Sequence, residues 1–218
     1  MRLLLSLATL TLGITCFTSC KSGADAPAAV CDSVCLSDSV KFVKAEHSLQ
    51  PYVSLSVKDC KADTLSWGYK GSGATSLSFS SFMEGNMQLN PAAIGCYIRD
   101  TSYAWLYFND CATGQGFMVK LPYNKGHSLS RMTSAITSFD PKFHVDESLV
   151  AYSDRGNLFA EEKATGKKAT LTFGKRLEID YAAIHDYIDS VHITPTRMWA
   201  KVKIDNEWKE LERNIELK

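Results

Sequence analysis

Beyond its first twenty residues this chain has no second long apolar run, no block of lysine and arginine, and no acidic tail. The first absence leaves room for one membrane anchor and one domain facing water. The second excludes the electrostatic footprint of a nucleic-acid binder, and the third excludes a cation sponge. Charge is balanced, with 24 Lys and Arg against 24 Asp and Glu. A Gly-x-Ser-x-Gly nucleophile turn is also missing. Cys31 and Cys35 have half the spacing of a zinc site, but no matching Cys or His pair stands at finger distance. No metal and no cofactor are expected.

The leader is the clearest signal present. Met1-Arg2 precedes "LLLSLATLTLGITCF", one positive charge followed by an apolar segment of roughly fifteen residues. That is the layout of a secretory signal, and it is short for a membrane span. The segment ends in "FTSC", with small residues Thr18 and Ser19 before Cys20. This ending resembles the lipobox of bacterial lipoproteins, with Phe17 where that family usually has Leu. The resemblance implies cleavage after residue 19, acylation of Cys20, and attachment to the cell envelope. Lys21 is not the Asp that marks inner-membrane retention in enteric members, which points to the outer membrane. "KSGADAPAAV", Lys21 to Val30, is small and polar without apolar period, so residues 20–30 read as a flexible tether. Its reach is about 30 Å at ~3.3 Å per residue. Residues 31–218 then form a single domain.

Five cysteines lie beyond Cys20: Cys31, Cys35, Cys60, Cys96 and Cys111. Export permits disulfides, and an odd number leaves at least one thiol outside any intrachain bridge. One or two structural bridges are expected, with the pairing open.

Alternation predicts a mainly β domain of antiparallel sheets. "YVSLSV" puts Val53, Leu55 and Val57 on one face, "KATLTF" puts Ala169, Leu171 and Phe173 together, "GFMVKL" does so with Phe117, Val119 and Leu121, and "WAKVKID" with Ala200, Val202 and Ile204. The turns repeat. "NDCATGQGFMVKL" lies over "EEKATGKKATLTF" at an offset of 52, from Ala112 to Ala164, and His144 lies over His192 at an offset of 48. Four units of roughly 48 residues fill the domain, the range of a four-stranded unit. Such a unit is one sheet with two apolar faces, which must stack on neighbours. A small four-unit β-propeller-like domain satisfies this, and an irregular β-sandwich or α+β fold is the alternative. Gly156 and Gly166 are the turn positions expected at positive φ. Met132, Ile136 and Phe139, and again Ile184, Tyr187, Ile188 and Val191, recur at helical spacing, which predicts short helices within 128–139 and 180–191.

The segment "FDPKFHVDESLVAYSDRGNLFAEEKATGKKATLTFG", Phe139 to Gly174, resembles a propeller blade of the Tol translocation protein and of dipeptidyl-peptidase-type prolyl oligopeptidases. Their Asp-Pro-x-Phe opening, Ala-Tyr inner strand, Asn-Leu central strand and Ala-Thr-Gly-Lys hairpin all have counterparts here. The resemblance implies a propeller-type fold for this segment and carries over no activity.

Three groups of residues are candidates for chemistry. His185, Asp186, Asp189 and His192 would place His185 and Asp189 on one helix face, but no third ligand follows. Glu161 and Glu162 are adjacent carboxylates in a hairpin, expected to face solvent. Tyr103, Trp105 and Tyr107 of "YAWLYF" share one strand face, and an exposed platform of this kind would take a sugar ring or a peptide. Together these features predict a non-catalytic, lipid-anchored envelope protein that binds a protein or glycan partner. The alternative is a secreted hydrolase with a site built from loops.

Overall fold

The alternating segments are strands throughout. The computed structural model describes residues 36, 38–83, 87–124 and 126–218, so the leader, Cys20, the tether, Cys31 and Cys35 lie outside the described residues. Strands β1 (Val40–Val43), β2 (Tyr52–Lys58), β3 (Lys61–Tyr69) and β4 (Gly73–Ser78) form an antiparallel meander. A second run comprises β5 (Ile94–Arg99), β6 (Tyr103–Asn109), β7 (Gly116–Pro122) and β8 (Ser130–Ile136). After β9 (Phe143–Val145) come β10 (Leu149–Asp154), β11 (Asn157–Glu162) and β12 (Lys168–Thr172). A 3₁₀ turn, Tyr181–Asp186, leads to β13 (Ile188–Ile193), β14 (Arg197–Ile204) and β15 (Glu207–Asn214).

Among the described residues these strands form three sheets rather than four separate units. The second and third units join edge to edge where β8 meets β10, giving one seven-stranded sheet in the order β12-β11-β10-β8-β7-β6-β5. The junction is narrow, with Ala151 opposite Ile136 and Tyr152 opposite Ala135. β9 leaves this sheet and runs parallel to β13, at the edge of a four-stranded sheet completed by β14 and β15. The fold is thus mainly β, its sheets antiparallel but for the β9–β13 pair.

Each outer sheet covers half of one face of the seven-stranded sheet. Val53, Leu55, Leu65 and Trp67 of the first sheet bury against Leu106, Phe108, Val119 and Leu121. At the other end Ala151, Leu158 and Leu171 bury against Val191, Met198, Ala200 and Val202. Full burial of side chains this size is worth about 1.5–3 kcal/mol each, so these two cores hold the sheets together.

The opposite face closes on itself. Strands stand about 4.8 Å apart, so β6 and β11, four steps apart in the sheet, would be ~19 Å apart if it were flat. Yet the Tyr103 hydroxyl on β6 donates to the carbonyl of Lys163, just past β11, at 2.8 Å. Lys120 on β7 likewise reaches Glu161 on β11 at 2.9 Å. The sheet is therefore curled into a half-barrel with this face concave.

The repeated turn has one geometry in both copies. Asp110 N–H donates to Gln115 at 2.9 Å and Gly114 N–H to Asp110 at 2.7 Å; Glu162 N–H donates to Lys167 and Gly166 N–H to Glu162, both at 2.8 Å. Gly114 and Gly166 have φ of +76° and +79°, the region where a Cβ is costly. Thr113 and Thr165 each bond the acidic side chain that opens the turn. Gly156, too, has the expected positive φ.

Two expectations are corrected. The stretch 128–139 contains a strand, not a helix. Met118 and Gly116 of β7 face Met132 and Ala135 of β8, so β8 carries an extra residue. This bulge keeps Met132 and Ala135 on one face and turns Ile136 to the other, which produces apolar spacings of three and four without a helix. In 180–191 only the 3₁₀ turn is helical, and Ile188 and Val191 already belong to β13.

Candidate functional site

Tyr103, Trp105 and Tyr107 do share a face, and it is the concave one. Trp105 is 1% exposed, so it is no open platform. It lies inside the curl beside Lys120, its cross-strand partner on β7. The Lys120 ammonium stands 4.3 Å from the Tyr103 ring centre and 4.9 Å from that of Trp105. Glu161 balances it at 2.9 Å and also takes Lys168 at 3.2 Å. Glu161 is 2% exposed, which corrects the expectation of a solvated carboxylate pair. In this half of the concave face Glu161 takes both lysines and Lys120 lies over two aromatic rings, while the buried Trp105 Nε1 has no hydrogen-bond partner among the described residues.

The other half is open. Where β5 forms the sheet's edge, a cavity of about 430 Å³ is lined by Tyr97, Tyr107, Met118, Phe139, Val150 and Lys163, among others. That volume falls within the ~300–1,000 Å³ of small-molecule sites. Gly95 makes room for one wall, because a Cβ there would come within 2.4 Å of the Tyr107 ring. Phe139 stacks on the same ring at 5.9 Å between centres. Cys96 also lines the cavity, and burial pushes its thiol up to about 12, so it stays protonated and unreactive at neutral pH.

Lys163 is the cavity's buried charge, 6% exposed. Its ammonium donates to the Glu147 carbonyl at 2.9 Å and lies 3.4 Å from the Tyr107 hydroxyl. It also stands 4.7 Å from the Tyr107 ring centre and 6.0 Å from that of Tyr97. Among the described residues no carboxylate pairs with it. Two acids stand nearby, and their charges raise the Lys163 pKa against the larger effect of burial. Asp146 accepts from the Ser148 amide and hydroxyl, which hold its carboxyl below the usual range, and Glu147 is exposed. Burial lowers the Lys163 pKa, and burial raises that of Tyr107.

The histidines singled out in the sequence lie elsewhere. His185 and Asp189 do not form a pair. His185 Nε2 meets Asp140 Oδ2 at 2.7 Å, while Asp189 sits on β13 and takes Lys142 and Lys201 at 3.6 and 3.4 Å. His144 and His192 are cross-strand neighbours whose rings stack at 4.6 Å, a packing role. Among the described residues no three His, Cys, Asp or Glu side chains come together as a metal site. Cys60 and Cys111 each take part in a disulfide, and among the described residues Cys96 is a free thiol.

Sequence reasoning did not single out Lys163, Tyr97 or Gly95, and it read Phe139 as a packing residue rather than part of a site. The one available signal was the repeat itself. At the offset of 52, Lys163 occupies the turn position of Cys111, a residue fixed by a disulfide. Comparison with family models, with curated proteins and with solved structures finds no match to this chain.

Proposed function

We propose that this chain is a lipid-anchored, non-catalytic binding module of the cell envelope, held by acylated Cys20 at the outer membrane, whose cavity at Tyr97, Tyr107, Phe139 and Lys163 receives part of a protein or glycan partner. The observation that carries the reading is the cavity: aromatic walls and a buried ammonium with no carboxylate partner among the described residues. The leader and the lipobox resemblance support the anchor. No helix of the described residues is long and apolar enough to cross a membrane. The propeller-like character of Phe139 to Gly174 is read as shared hairpin chemistry without shared activity. The ionisable groups that converge, Lys120, Glu161 and Lys168, are tied up in ion pairs with one another, which favours binding over hydrolysis.

The test is extraction of the full acylated chain from its own envelope, beside a Gly95→Val variant whose new side chain must displace the Tyr107 ring. Mass spectrometry is expected to find a diacylglyceryl adduct on Cys20 in both, and a bound component that the variant loses. Equal retention by both proteins would remove the cavity from the account. An unmodified Cys20 would remove the anchor.

A further inference from the structure

Two lysines project into the same concave face, and the fold treats them differently. Lys120 has two aromatic faces, Tyr103 and Trp105, and a carboxylate, Glu161. Lys163 has two aromatic faces, Tyr107 and Tyr97, and no carboxylate. An ammonium removed from water is stable only when paired and hydrogen-bonded. Lysine has three N–H donors. At Lys163 two of them meet neutral oxygens, the Glu147 carbonyl at 2.9 Å and the Tyr107 hydroxyl at 3.4 Å, and the third has no acceptor among the described residues. Lys120 thus has a carboxylate partner, while Lys163 has none among the described residues and lines a cavity of about 430 Å³.

We infer that the cavity binds a small monocarboxylate with an apolar body of about one ring, its carboxylate paired to Lys163 and its body between Tyr97, Tyr107 and Met118. The inference rests on reading the cavity as the protein's binding site and names the chemistry of what enters it. Asp146 and Glu147 also line the cavity, and their charges act on Lys163 without an ion pair among the described residues. Asp146 is held by the Ser148 amide and hydroxyl at 2.9 and 2.6 Å, and Glu147 is exposed, so neither replaces the missing partner. A cationic ligand would face Lys163 directly, and a neutral one would leave the ammonium unpaired.

Three probes of equal shape separate these cases: 3-phenylpropionate, its amide, and 3-phenylpropylamine. They are titrated calorimetrically into the full acylated chain in detergent micelles, with empty micelles as the blank. The acid is expected to bind at least tenfold more tightly than the amide or the amine. Lys163→Met should abolish that preference. Because the acid-to-amide ratio is measured on the unaltered protein, a variant that fails to fold does not shelter the inference. Equal affinity for acid and amide, or preference for the amine, would overturn the carboxylate assignment while leaving the cavity a binding site. Absence of binding by all three would overturn it too. The general reading fails separately, if the Gly95→Val comparison also shows no difference in retained material.

Discussion

Lys163 is held at a disadvantage. Desolvation lowers its pKa, so the unfolded chain binds its proton more firmly than the folded one. The sign of the effect follows: the penalty is fully present at neutral pH and fades as pH rises toward the unfolded value of about 10.4. Lys163→Met is therefore expected to raise stability at pH 7, by about 1 kcal/mol or more. At this length that is roughly 3 °C in Tm. The difference should narrow by pH 10. Paired thermal melts at the two pH values check it, and a lower Tm for the variant at pH 7 would show that the lysine is structural. His185 is the opposite case. Its bond to Asp140 raises its pKa, so that pair stabilises the fold below the unfolded value of about 6.5 and loses its contribution as pH climbs through the folded one. Relative to His185→Gln, the parent protein should be more stable at pH 5.5 than at pH 8.5. Melts that track each other across that range would contradict the pairing.

At the scale of single elements, the duplicated turn allows an internal control. Gly114 and Gly166 have the same φ and the same hydrogen bonds, so alanine at either should cost about 1–2 kcal/mol for the left-handed backbone. Urea unfolding measures both, and a penalty at only one would mean the two turns are not equivalent. This turn was legible in the sequence because Ala-Thr-Gly fixes it locally. The strands were legible for a similar reason: Val53 and Leu55, or Ala169 and Leu171, alternate with polar residues over one core. β8 was not legible, since one bulge reversed its alternation and imitated a helix. The join of β8 to β10 was invisible as well. It rests on two residue pairs chosen by the packing of whole sheets, and no local pattern encodes it.

That join determines the molecule. Because it makes one sheet of seven strands, the sheet can curl, and the curl brings β6 and β7 against β11. Tyr103, Trp105 and Tyr107 could be assigned to one face from alternation alone. Lys163 and Glu161 could not be assigned to the interior, because a hairpin rich in lysine and glutamate reads as solvated until the far strands are seen to close over it. The central claim is that the open end of this curl is a binding site organised by Lys163. A crystal structure grown with saturating 3-phenylpropionate tests it most directly. The account predicts the acid in the cavity, its carboxylate within hydrogen-bonding distance of Lys163 Nζ and its ring against Tyr97 and Tyr107. Density for the acid elsewhere, such as against the exposed Trp208, or an empty cavity at saturation, would contradict it.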